Sequence, residues 1–228
     1  MAASTLGLAR LLFVNRRSVA RDYHHNWHRA GPWPYREIEV NALTQAIASD
    51  NASRNLLVIA ASGLLSGILT PLAPQLIDRF TGGSGNLRMA LVAVPFAVLV
   101  FFVVRRCSAN PIWAALVAAV VTMIAFVGAV NAAIFIDGQT YGASKVMRNV
   151  LAGLAGGFVG AGVMALAIAL LPAGPRDAVL WMRMLLTGTL AGALMAVDSA
   201  LDLDLVSVLY PVWQAAVAVR LAMVLQRI

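Results

Sequence analysis

Charge is what this chain has least of. Only 12% of its 228 residues are Asp, Glu, Lys or Arg, against about a quarter in an ordinary soluble domain. Lys145 is the only lysine among 17 basic residues. Cysteine is reduced to Cys107, which excludes an intrachain disulfide and any cysteine-cluster metal centre. The three histidines, His24, His25 and His28, all lie near the N-terminus. No Ser-His or Cys-His pairing, no HExxH and no pair of carboxylates falls within the apolar stretches, so no catalytic chemistry is expected. Gly142-Ala143-Ser144-Lys145 lacks the closing glycine and partner histidine of a nucleophile motif. Nothing in the residues implies a cofactor or a metal.

What is abundant is apolar surface: 61% of residues are hydrophobic and the mean hydropathy is +0.81. A chain of this size cannot hide so much in a water-soluble core. The expectation is an all-α, polytopic protein integral to a lipid bilayer. The net charge of +7 is spread around the apolar runs rather than gathered on one soluble face, so it argues for membrane orientation and against nucleic acid.

A span needs about 20 apolar residues. Six segments qualify: 56–77, 87–104, 111–136, 150–171, 181–197 and 205–225, the second and fifth near the short limit. Breaks fall at Thr81-Gly82-Gly83-Ser84-Gly85 and at Leu171-Pro172-Ala173-Gly174-Pro175. Asn110 before Pro111 reads as a helix cap. Arg54, Arg105, Arg106, Arg176, Arg183 and Arg227 then share one side with the Arg-rich tail. Asp78, Asp137, Asp198, Asp202 and Asp204 share the other with fewer cations. The positive-inside rule puts both termini on the matrix or cytoplasmic side.

The apolar stretches contain an internal echo. Pro111-Ile112-Trp113-Ala114-Ala115-Leu116-Val117-Ala118 matches Pro211-Val212-Trp213-Gln214-Ala215-Ala216-Val217-Ala218 without a gap. Arg54-Asn55-Leu56-Leu57 resembles Arg148-Asn149-Val150-Leu151, and Leu87-Arg88-Met89 resembles Met182-Arg183-Met184, at nearly the same offset. Three spans per half make an inverted-topology repeat, with halves at 54–136 and 148–228.

Small residues mark where helices pack. Gly153, Gly156, Gly157, Gly160 and Gly162 crowd the fourth span, Gly188 and Gly192 stand four apart in the fifth, and Gly63 and Gly67 do so in the first. Such spacing lets backbones approach closely in lipid. Gly160-Ala161-Gly162-Val163-Met164-Ala165 matches a dinucleotide fingerprint by letter only, since no strand precedes it. Polar groups inside spans are few: Arg220, Gln214 and Asn131 are the candidate intramembrane binding groups. Arg220 can snorkel to the near interface or meet a carboxylate such as Asp137 or Asp198.

The soluble part is N-terminal. Residues 1–21 are acid-free, with Arg10, Arg16, Arg17 and Arg21 among apolar residues. That is the profile of a mitochondrial presequence, or of a surface helix in a bacterial protein. Residues 22–53 follow, carrying His24, Trp27, His28, Trp33 and Tyr35. His24 and His28 could share a helical face, but two histidines without a third ligand seldom hold a metal. The aromatic cluster is better read as a partner-docking patch. Two functions are therefore expected from different classes. One is a non-catalytic accessory subunit or assembly factor of a larger, respiratory-type complex in the mitochondrial (alternatively bacterial) inner membrane. The other is a small inverted-repeat transporter or channel.

Overall fold

The computed structural model describes residues 34–75, 77, 86–202 and 207–226, with side chains from 51 onward. The presequence-like segment and His24, Trp27, His28 and Trp33 lie outside the described residues, as does the side chain of Tyr35. The chain divides into a unit through Asp50 and a second from Asn51 to Ile228. In the first unit the backbone is helical from Pro34, a residue suited to a helix start because its missing N–H would be unpaired there anyway.

The described residues are helical or in turns, with no strand among them. Helix α1 spans Pro34–Leu69 and tightens into a 3₁₀ turn at Thr70–Leu72. There follow α2 (Asn86–Val92), α3 (Val94–Cys107), α4 (Ile112–Gln139), α5 (Lys145–Ala169), α6 (Ala178–Gly192), α7 (Met195–Ala200) and α8 (Leu209–Leu225). Four segments are long and apolar enough to cross a membrane: Asn51–Gln75, Ile112–Gln139, Lys145–Ala169 and Ala178–Ala200. This is fewer than the six the sequence suggests. The expected second span is cut at Ala93, because Pro95 lacks an N–H and its ring crowds the preceding turn. The sixth is only the 17-residue α8, about 26 Å at 1.5 Å per residue.

The fifth segment is interrupted as well, between Gly192 and Met195. The two interruptions match closely. Ala93 N–H donates to Ala90 at 3.1 Å, and Ala193 N–H donates to Leu190 at 3.1 Å.

The expected cap at Asn110 is replaced by a different arrangement. Pro111 occupies the cap position with no side-chain bond. Asn110 is buried and ties two loops together. Its Oδ1 accepts from Ala173 N–H at 2.9 Å, its Nδ2 donates to Ser108 Oγ at 3.0 Å, and its carbonyl accepts from Arg105 at 3.0 Å.

The core holds large side chains such as Phe96, Met164, Ile168, Leu221 and Leu225, but much of the packing surface on two helices is small. On α4, Ile112, Leu116, Val120 and Ile124 form an exposed stripe, while Ala114, Ala115, Ala118, Thr122 and Ala125 face inward. On α6, Met182, Leu186 and Leu190 face outward, against Leu180, Met184, Gly188 and Gly192 inside. Lipid tails are as apolar as the interior, so burial by itself gives large side chains little gain, and close backbone contact through small residues does much of the packing. Gly153 and Gly157 of α5 meet Gly192 and Gly188 of α6 so tightly that an added Cβ at any of the four would overlap an atom of the facing helix. Gly63 and Gly67 likewise abut the α8 backbone at Ala215 and Pro211. Gly160 lies against Ala129 of α4 and the Trp213 ring.

Two ends of the bundle differ in chemistry. At one end Arg106 donates to Asn55 at 2.8 Å, Trp181 Nε1 to the Pro175 carbonyl at 2.8 Å, and Gln226 to Cys107 Sγ at 3.6 Å. At the other, Asp137, Lys145, Arg148, Asp198 and Asp202 gather, with Asp202 in a left-handed turn at φ 48°. Asp78, Arg79, Asp204 and Arg227 lie outside the described residues.

Gly192→Val should lower the thermal midpoint in detergent sharply, since overpacking costs about 1–3 kcal/mol and the facing atoms are backbone. Gly138→Ala, with open space around it, should leave it unchanged. An equal response of both variants would sink the close-packing account. Cys107 provides a second test. Burial pushes its thiol up, against the Gln226 hydrogen bond and Arg106. The thiol is therefore protonated at neutral pH, and impermeant maleimide should react slowly, faster as pH rises. In sealed vesicles Cys107 should label from one side, and Tyr141→Cys in a Cys107→Ser background from the opposite side. Labelling of both from one side would contradict the two-ended sorting.

Candidate functional site

A cavity of about 620 Å³ lies among α4, α5, α6, α7 and α8, within the range of about 300–1,000 Å³ usual for small-molecule sites. Its polar mouth is at the carboxylate end, where Asp137, Lys145, Asn149, Asp198 and Asp202 line it. Its deeper wall carries Phe96, Thr122, Met164, Trp213 and Gln214. The glycines of the α5–α6 contact line it too, because small residues that let helices meet leave space beside the meeting point.

Chain interruptions shape this space. The α2–α3 break brings Phe96 to the wall, and the α6–α7 break brings Gly192 and Met195. Asp198 then fixes the return into α8. Its Oδ1 accepts from Val208 N–H at 2.8 Å, and its Oδ2 accepts from the Ser207 hydroxyl. A carboxylate at a helix N-terminus satisfies donors that the helix cannot, and its charge suits the positive end of the helix.

The mouth is mostly self-paired. Arg148 binds Asp137 with both Nε (3.0 Å) and Nη2 (2.6 Å), and its guanidinium lies 5.2 Å over the Tyr141 ring. Lys145 approaches Asp202 at 3.8 Å, with both side chains largely in solvent. Asp198 is the lining carboxylate whose hydrogen-bond partners are all neutral.

Deep in the cavity, Gln214 is only 2% exposed. Its Nε2 donates to Thr70 Oγ1 at 2.8 Å, and that hydroxyl donates to the Ser66 carbonyl at 3.0 Å. Its Oε1 is buried with no hydrogen-bond partner. An unmet buried acceptor costs about 1–3 kcal/mol, which offsets the gain from the Thr70 bond. Trp213 beside it donates Nε1 to the Gly188 carbonyl at 3.0 Å and packs edge-on against Phe96, with ring centroids 5.6 Å apart.

Of the three candidate intramembrane groups, Gln214 alone lines the cavity. Asn131 faces outward on α4 and bonds the Val127 carbonyl of its own helix at 2.8 Å. Arg220 is half-buried toward the far end of α8, eleven residues beyond Leu209. Asp137 and Asp198 have partners at the other end of that helix. Gly153, Gly157, Gly160, Gly188 and Gly192 sit in helix contacts, three of them also on the cavity wall. Sequence reasoning missed Thr70, Thr122, Phe126 and Tyr210. Thr70 lies inside the expected first span, before Pro71, where a lone threonine gives no signal of its own. The aromatic residues gave a usable signal only at Trp213, inside the repeated motif.

Compared with family models, curated proteins and solved structures, the chain matches none. Function is therefore argued from the site alone.

Gln214→Leu removes one hydrogen bond but also the orphaned acceptor. Since these oppose, the thermal midpoint should move by no more than about 1 kcal/mol equivalent in either direction. A loss well above that would mean Gln214 is retained for folding.

Proposed function

We propose that this chain is a small membrane carrier or channel, built from two inverted three-span halves. The observation that carries this reading is the cavity between interrupted helices, with Gln214, a buried side chain with an unmet acceptor, on its lining. Interrupted helices that line a cavity are a recurring device of transporters, because irregular backbone in a membrane is tolerated where it faces such a space.

The duplication draws support from the backbone. The second and fifth expected spans are each interrupted, at Ala93 and after Gly192, and both breaks open with the same i to i−3 turn bond. In a six-span arrangement α2 with α3 forms the second span and the short α8 the sixth.

A second reading is an accessory subunit or assembly factor in a larger membrane complex, docked through residues 22–35. It rests on the aromatic and His-rich composition of that segment. The membrane is assigned from the first 21 residues: removal near Asp22 marks a mitochondrial inner-membrane protein, and retention a bacterial one.

The test is reconstitution of the full chain into liposomes, with stopped-flow permeability to glycerol, urea and alkylammonium chlorides. Permeability above protein-free liposomes is expected, lost in Gln214→Trp and kept in Arg220→Leu. Impermeable proteoliposomes, with recovery of the native protein in a large assembly, would replace the carrier by the subunit.

A further inference from the structure

We infer that the cavity binds a small amphipathic organic ammonium ion bearing at least one N–H. This inference rests on the carrier reading and names its substrate class.

Three side chains set the hydrogen-bond capacity at the floor. Thr122 donates its hydroxyl to the Ala118 carbonyl at 2.8 Å. Trp213 donates its indole N–H to Gly188, and Gln214 donates its amide N–H to Thr70. Each of these lining donors is spent inside the protein; the Ser66 hydroxyl, one turn before Thr70 and off the lining, is also buried without a partner. Among these lining groups what is left is one acceptor, Gln214 Oε1, nearly sealed from water and unpaired. The Thr70 bond pins the amide, so this oxygen cannot swing away to find a partner of its own. A ligand end that settles at the floor therefore has to donate.

The walls narrow the choice further. Phe96 with Trp213 and Phe126 with Tyr210 put two ring pairs on the lining, the second with centroids 6.1 Å apart. Aromatic faces suit either an apolar ligand body or a cation, and the attraction to a cation strengthens away from water. The mouth decides between them. Arg148 pairs Asp137 and Lys145 approaches Asp202, which leaves Asp198, bonded only to neutral donors, as the lining carboxylate without a cationic partner among the described residues. An anion would be repelled by that charge on entry, whereas an ammonium ion is drawn in. Donor, cation and apolar body together describe an arylalkylamine or alkylamine in its protonated form.

The test uses the full-length protein in detergent, with equilibrium dialysis of radiolabelled 2-phenylethylammonium and its uncharged isostere 2-phenylethanol. Saturable binding of the ammonium is expected, with the alcohol at least tenfold weaker. Gln214→Leu should weaken ammonium binding at least tenfold with little change in thermal midpoint. Phe126→Leu should weaken it several-fold, and Asn131→Leu, on the outer face, should leave it unchanged. Tetraphenylphosphonium, a cation without an N–H, should not compete. Equal binding of ammonium and alcohol, full affinity in Gln214→Leu, or no saturable ammonium binding to folded protein would each overturn the inference. The two proposals separate in liposomes. Neutral-solute permeability without ammonium binding overturns the cation site alone, and ammonium binding in impermeable liposomes overturns the carrier alone.

Discussion

The backbone contact between α5 and α6 is the constraint on which the rest of the structure depends. Gly153 against Gly192, and Gly157 against Gly188, bring two helices closer than any side chain allows. In water such a contact would be a minor part of a hydrophobic core. In a bilayer the lipid tails are as apolar as leucine, so the gain comes from dispersion and dipole contact at short range. The consequence reaches the cavity directly. Gly188 offers its carbonyl to Trp213, which orients the ring against Phe96 and sets the face of α8 that carries Gln214. Gly192 ends α6, and the turn that follows delivers Asp198 to the start of α8. One close approach thus fixes a wall, a floor and a mouth.

The same physics explains why so much surface remains apolar. Most of each crossing segment faces outward, with large Leu, Ile, Val and Met side chains on that face. A soluble protein would present this pattern as a continuous sticky patch. Here it matches the expected solvent, and the polar contacts retreat to the two ends. There they are local and specific. Asn110 crosslinks two loops, and the Arg148–Asp137 pair clamps the α4–α5 turn.

How much of this was legible beforehand divides along physical lines. The long segments read well, because uninterrupted apolar runs such as that of α4 have no competing structure in lipid. The interruption near Pro95 was signalled by a residue that cannot donate. That at Ala193 was not, since no proline stands there and glycine at 192 is also what helix packing calls for. Among site residues, Gln214 was visible because it replaces the alanine of the repeated motif. Asn131 was equally visible as a polar residue, yet it points outward and satisfies itself on Val127. Polarity marks a position as unusual, but the facing direction depends on helix rotation, and α4 is apolar all round. Thr70 could be recognised only from the side chain it meets, 144 residues away.

The two copies of the Pro-x-Trp motif also show why sequence similarity alone does not make a site. Trp113 and Trp213 occupy corresponding positions, but Trp113 faces outward while Trp213 lines the cavity. Ala114 and Gln214 are both buried, and only one carries a polar group. The single amide in the second copy of the motif and the carboxylates around Asp198 set the two ends of the lining apart in chemistry. Gln214 ties α8 to the turn after α1 through Thr70, and its Oε1 is polar capacity left over from that contact.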